Sequence, residues 1–177
     1  LDGAIEEWFS ENHRGSLELG DAWFGSLYGQ QSIDSLILRD PDDEEVLRAS
    51  LSAPQLGELF DRDRGPYGPV LIRVPLCRLV ASREGSTNLA RALERIPREL
   101  ELRRSDGLST DRPFEITLAI DLARLRWADA HGAEGVLDGI RLEGQLFWGP
   151  DGTRLVLSGG SASGALESVR AKLEFWW

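Results

Sequence analysis

Two histidines, one cysteine and a run of carboxylates are the residues of this chain whose types could carry chemistry. Their spacing offers little of it. His13 and His131 are far apart, each in polar, turn-like text, whereas a metal centre or catalytic pair needs clustered ligands. Cys77 is the single cysteine, so no internal disulfide forms. It stands in the apolar run Val70–Val80 and reads as a buried, inert thiol. The acidic run Asp40–Glu45 (DPDDEE) would attract calcium if its carboxylates converged, since hard cations take several oxygens. It lacks the spacing and mid-loop glycine of a calcium loop and reads as a solvated hairpin turn. Ser158–Gly164 (SGGSASG) looks like a nucleophile loop, but Ala162 stands where G-x-S-x-G needs serine. A flexible turn between two strands is expected there. No H-x-x-x-H, C-x-x-C or phosphate-cradling glycine loop occurs, and nothing points to a carboxylate pair for glycoside hydrolysis. Trp8, Trp23, Trp127, Trp148, Trp176 and Trp177 could form a sugar platform. Several share the alternation of Leu and Ile, so core or groove lining is expected. No catalytic residue, metal ligand or cofactor follows, and the chain reads as non-enzymatic.

The 177 residues are 41% hydrophobic, enough to bury a core in one domain or two small ones. The formal net charge of −10 gives an acidic, soluble surface and no basic stripe for nucleic acid. No stretch has the length of a membrane-spanning helix.

The elements that must position any site are mostly strands. Asp2–His13 has helical spacing at Ala4, Ile5, Trp8 and Phe9, with Asp2 as cap and Gly15 as stop. Ser16–Leu19 opens strand-like text. Ile33–Arg39 and Val46–Leu51 flank the Asp40–Asp43 turn as a hairpin. Residues 54–69 form a loop with one helical turn at Leu56–Phe60. Val70–Ala81 is a strand in which Pro75 marks an edge or a bulge. Asn88–Ile96 is a short helix, capped by Thr87 or Asn88 and ended by Pro97, with Leu89, Ala92, Leu93 and Ile96 on one face. Phe114–Leu122, Ile140–Trp148 and Val169–Trp177 alternate apolar and polar residues with a period of two. A hairpin turn at Gly149–Gly152 returns as Arg154–Leu157. A weak repeat relates Ile33–Leu38 and its turn to Leu137–Leu142 and its turn, which implies a sheet extended by similar hairpins. The charged stretch Leu100–Pro113 separates two units. Residues 1–100 hold the N-terminal helix, a β-hairpin unit and a capping helix, and residues 113–177 continue the sheet.

The motifs of the first half resemble a known family. Gly15-Ser-Leu-Glu-Leu-Gly20, Gly25-Ser-Leu27, Ile33-Asp-Ser-Leu-Ile-Leu-Arg-Asp-Pro-Asp42 and Val46-Leu-Arg-Ala49 follow the progression that opens AsmA-like and TamB-like proteins. Val70–Leu79 and Arg83–Ala90 resemble the next segment of that family, which also leads into a short helix. Asp43 stands where the family has a turn glycine. The resemblance implies a mainly β fold with two short helices: a curled antiparallel sheet of repeated hairpins with an apolar concave face. It implies a periplasmic segment of an envelope-biogenesis protein that guides phospholipid between inner and outer membrane. An anchor in the inner membrane is expected upstream of Leu1, and outer-membrane assembly proteins are expected partners besides phospholipid acyl chains. The residues expected to line the lipid groove are Leu36, Leu38, Ile72, Val74, Ile116, Leu118, Ile120, Leu142, Leu146, Trp148, Leu173 and Phe175. The competing expectation is a β-rich protein–protein interaction module without lipid.

Overall fold

The computed structural model describes residues 2–24, 29–55, 66–96, 114–149, 152–163 and 171–176. Two helices, α1 (Asp2–Asn12) and α2 (Asn88–Leu93), accompany nine strands. The strands are β1 (Ser16–Leu19), β2 (Ala22–Phe24), β3 (Gln31–Arg39), β4 (Glu45–Ala53), β5 (Tyr67–Val80), β6 (Phe114–Ala128), β7 (Glu134–Gly149), β8 (Gly152–Ser163) and β9 (Ala171–Trp176). They form one open, curled sheet in the order β1-β3-β4-β5-β6-β7-β8-β9, with β2 beside β1 along β3.

All pairings are antiparallel except β5–β6. That parallel pair is the one exception within the expected curled antiparallel sheet among the described strands. The chain leaves β5 at Val80, runs through α2 and re-enters as β6 in the same direction, as a parallel pair requires of its connection. The β5–β6 pairing from Tyr67↔Ile116 to Val80↔Ala128 also joins the two halves of the chain into one sheet.

β6 and β7 run further than a strict period of two shows. Leu122 and Leu125 both pack on the Ala49–Val74–Cys77 cluster, although three residues apart. On β5 the same three-residue step separates Val74 from Cys77, and on β7 it separates Leu137 from Ile140. The steps lie at one level, because Val74, Leu122 and Ile140 are paired across the strands, as are Cys77, Leu125 and Leu137. The β4–β5 register shifts between Arg48 and Ser50, opposite this level, and the β3–β4 register shifts between Ile33 and Leu36. An irregularity of this kind bends a strand and increases its twist. Aligned across five strands, the irregularities form a crease that curls the sheet. Pro75 sits in it. β5 is flanked on both sides, so Pro75 marks a bulge and not an edge. Gly139 gives β7 its part of the crease with φ +66°. A Cβ added there would meet nothing within 4 Å. Gly139→Ala therefore isolates the backbone term, with an expected loss of about 1 kcal/mol in urea unfolding.

Three turns at one end of the sheet share one geometry. Asp40 N–H donates to Glu44 O at 3.0 Å and Asp43 N–H to Asp40 O at 3.0 Å. Ser82 with Ser86 and Gly85, and Asp129 with Ala133 and Gly132, repeat both bonds. The left-handed position is Asp43 (φ 64°), Gly85 (φ 83°) and Gly132 (φ 89°). Asp43 thus holds a place where glycine is the easy choice. The carboxylates of Asp40 and Asp129 each accept two backbone N–H groups of their own turn. This relates the β3–β4 hairpin to the β6–β7 hairpin; the β7–β8 turn that the sequence repeat relates to β3–β4 lies outside the described residues.

The helices cover one end of one sheet face. Phe9 of α1 and Ala92 of α2 pack with Leu38 and Val46, and Leu17, Leu47 and Leu89 border them. Thr87 caps α2 by accepting the Ala90 N–H at 3.1 Å. Asn88 is buried and turned to β5, where it accepts from Val80 N–H (3.0 Å) and donates to Arg78 O (2.9 Å). It replaces a strand partner beyond the point where β4 begins. α2 ends at Leu93, before the expected Ile96, and Leu93 and Ile96 stand exposed. Ile96 instead donates its N–H to Asn12 O at 2.9 Å, tying the segment after α2 to the end of α1.

Ser158–Ser163 is the second half of β8, paired to β7 from Glu143 to Asp138, and not a turn. A strand of small residues escapes a pattern search because it offers no large apolar side chains at alternate positions. The expected helical turn at Leu56–Phe60, the stop at Pro97 and the linker Leu100–Pro113 lie outside the described residues, as do Pro150 and Asp151 of the β7–β8 turn.

Candidate functional site: an apolar sheet face

Strand pairing places directly opposed residues on the same face. One row runs Leu51–Ile72–Ile120–Leu142–Gly159–Ala171. A second runs Val70–Leu118–Gly144–Leu157–Leu173, and a third Tyr67–Ile116–Leu146–Leu155–Phe175. Beyond the crease a fourth runs Leu47–Cys77–Leu125–Leu137. The opposite face is mainly polar, with Leu71, Val80 and Val136 exposed among its charged and hydroxyl side chains. Its row Ser50–Arg73–Asp121–Arg141 alternates charge, with Arg141 Nε 3.3 Å from Asp121 Oδ1, and Arg124 Nε lies 2.7 Å from Asp138 Oδ1. These pairs are exposed and contribute little stability. They do settle the sidedness of the sheet.

The expected groove residues fall on this one face but into two environments. Leu38 is buried under the helices, and Val74 is buried with Ala49 and Cys77. Ile72, Ile116, Leu118 and Ile120 are half-buried around the packed clusters of β4 and β5. Leu36, Leu142 and Leu146 are half-buried outside those clusters. Register puts Trp148 opposite Phe114 and Thr153, Leu173 opposite Leu157, and Phe175 opposite Leu155. The face also holds Leu122 and Ile140, which the alternation already placed on it, and Leu125, Leu137, Leu155 and Leu157, which the sequence pattern did not place. The three-residue steps hid Leu125 and Leu137, and the small-residue half of β8 drew attention away from Leu155 and Leu157.

Packing therefore falls off across the sheet. Among the described residues every buried apolar side chain larger than alanine belongs to α1, β3, β4 or β5. On β6, β7 and β8 the described leucines and isoleucines are only half-buried, and Gly144 alone among the described residues of these strands is buried. Leu118 and Leu157 close over it: a Cβ on Gly144 would lie 2.9 Å from Leu157 Cδ2 and 3.1 Å from Leu118 Cβ. The result is a shallow aliphatic surface whose described side chains offer no hydrogen-bond donor or acceptor on β6 from Ile116 to Leu125 or on β7 from Leu137 to Leu146. At its turn end, Trp127 is 39% exposed and its indole lies over Gly135.

The other candidate groups have structural roles. His13 Nδ1 lies 3.0 Å from Leu93 O and its ring stacks on Phe9, so it locks α1 to α2. His131 is exposed in the β6–β7 turn. Asp40 is 4% exposed at its side chain and bonds Arg91 Nη2 at 2.7 Å, while Arg91 Nη1 bonds Asp42 at 2.8 Å. The acidic run is thus tied to α2. Among the described residues no three His, Cys, Asp or Glu side chains converge. Trp8 and Trp23 are 57% and 67% exposed, on α1 and β2, and line neither core nor groove. Burial pushes the Cys77 thiol above its ordinary value, which lowers its thiolate fraction. Iodoacetamide at pH 8 is expected to modify it slowly in the native protein and rapidly in denaturant, as read by mass spectrometry.

Comparison with protein-family models, with curated proteins and with solved structures returns no match for this chain.

Proposed function

We propose that this chain is a non-catalytic segment that holds phospholipid acyl chains along the aliphatic face of β6–β8, in keeping with its AsmA-like and TamB-like motifs. The observation that carries the reading is the half-exposed aliphatic surface beside a fully packed one in the same sheet. From Ile116 to Leu125 the strip on β6 is about 30 Å long at ~3.3 Å per residue. One leaflet of a bilayer has a hydrocarbon depth of about 15 Å, half the ~30 Å core, so an extended acyl chain fits along the strand. Each methylene moved from water onto such a surface gains roughly 0.8 kcal/mol. A surface without hydrogen-bonding side chains holds a chain without fixing its position, which suits transport. In this reading the segment works in the periplasm, with its anchor in the inner membrane.

The test is transfer of a fluorescent phospholipid between donor and acceptor vesicles. The protein is expected to raise the transfer rate in proportion to its concentration. A rate equal to that of an inert protein would overturn the lipid role and favour a protein partner on the same face.

A further inference from the structure

At the turn end of the mainly polar face, two rows of side chains cross β5, β6 and β7. One is Arg78–Arg126–Val136 and the other Val80–Ala128–Glu134. They stand two residues apart, about 6.6 Å along the strands. Between them the backbone of Leu79, Trp127 and Gly135 forms a floor, because that row turns its side chains to the opposite face. Ala128 leaves the middle of one wall low, and the groove holds about 500 Å³. Both helices pack on the other face of the sheet, against Leu38 and Leu47.

The charges of this groove are arranged for an anion. Arg78 and Arg126 are directly paired, on strands about 4.8 Å apart. Like charges side by side on neighbouring strands are destabilising, and these two adjoin in a chain whose formal net charge is −10. Arg78 meets Glu44 at 3.9 Å, with both side chains exposed, so that pair neutralises it weakly. Arg126 has no ion-pair partner among the described residues. Val80 and Val136 are exposed, one on each wall. Glu134 stands at the β7 end, where its carboxylate repels an anion and confines it to the β5–β6 end.

We infer that the groove binds an alkyl phosphate monoester, with its phosphate on Arg78 and Arg126 and its aliphatic part over Ala128 between Val80 and Val136. Guanidinium forks match phosphate oxygens with several N–H donors each. A phosphate monoester carries a charge of about −1.5 to −2 at pH 7, enough for both arginines, where one carboxylate answers only one. The groove lies on the face opposite the aliphatic rows, so it stands or falls apart from the proposed acyl-chain surface.

The test is an NMR titration of the isotope-labelled full chain with butyl phosphate, inorganic phosphate and butyrate. Butyl phosphate is expected to shift the amides of Leu79, Trp127 and Gly135 saturably. It is expected to bind about fivefold tighter than inorganic phosphate, through the burial of its chain, and tighter than butyrate. Arg126→Gln is expected to weaken it about tenfold, and Val136→Thr to reduce its advantage over inorganic phosphate. Arg73→Gln, at an arginine of the same face outside the groove, is expected to leave binding unchanged. Absence of a saturable shift at the floor overturns the inference. So does an equal loss in Arg73→Gln, or butyrate bound as tightly as butyl phosphate. Sedimentation with phosphatidate vesicles separates the sources of the phosphate. Vesicle binding that is lost in Arg126→Gln assigns it to a lipid headgroup, and butyl phosphate binding without vesicle binding assigns it to a free ester; either supports the site.

Discussion

A chain carrying Leu146→Lys and Leu155→Glu is expected to remain folded and, on the proposed lipid-holding role, to co-purify with far less phospholipid than wild type. Leu146 and Leu155 are directly paired between β7 and β8, and neither belongs to the packed clusters of β3–β5. Opposite charges at paired positions support each other across the strands, typically by a few tenths of a kcal/mol to about 1 kcal/mol. Both sites are half-buried, so the charges keep access to water while the face is empty. An acyl chain laid over them would remove that water, and taking even a paired Lys and Glu out of water costs more than their mutual attraction returns when no further hydrogen bonds satisfy them. A loss of 1.4 kcal/mol is already a tenfold loss of affinity. Retained phospholipid, measured by extraction and mass spectrometry, is expected to fall more than tenfold with a melting temperature lowered by only a few degrees. Unchanged lipid content would place the lipid elsewhere.

Leu38→Ala is expected to do the reverse. Leu38 is 5% exposed and touches Phe9, Val46 and Ala92, so it joins both helices to the β3–β4 hairpin. Truncating such a side chain removes its transfer free energy and leaves a cavity, at a cost of about 2–5 kcal/mol. Domains are stable by only about 5–15 kcal/mol, so the variant is expected to unfold at much lower denaturant, read by tryptophan fluorescence. At temperatures where it stays folded, its lipid content is expected to match wild type. Together the two variants separate the packed end of the face from the open end, a distinction that Leu38 and Leu146 do not reveal as equally apolar residues in a sequence.

What could be read in advance follows from which signals are local. Alternation is local, so Phe114–Leu122, Ile140–Trp148 and the Val46–Leu51 return were recognisable as strands. Thr87 as cap and Asp40–Asp43 as turn rest on side chain-to-backbone bonds within four residues, and both are found. The full lengths of β6 and β7 were not legible, because an irregularity shifts the phase of the alternation by one. Such a break looks like a strand end until three neighbouring strands are seen to break at the same level. Pro75 left two readings, edge or bulge, and only the presence of β6 beside β5 decides between them. The roles of Asn88 and Glu6 were not legible either. Each bonds the backbone of another element, Val80 and Leu19, and nothing in the local text links those positions. For the candidate site, the apolar face was readable as a set of residues. The division into packed and open parts was not: α1 and α2 bury Leu38 and Val46, while Val74, Cys77, Tyr67 and Val70 are buried in clusters formed across β4–β6, and neither arrangement is local in the chain.

Native mass spectrometry of the chain purified from cells without detergent tests the lipid-holding face most directly. The account predicts a polypeptide carrying intact phospholipid, released by gentle activation and diminished in Leu146→Lys/Leu155→Glu but not in Leu38→Ala. A bare polypeptide from cells rich in phospholipid, or equal lipid on all three proteins, would contradict it.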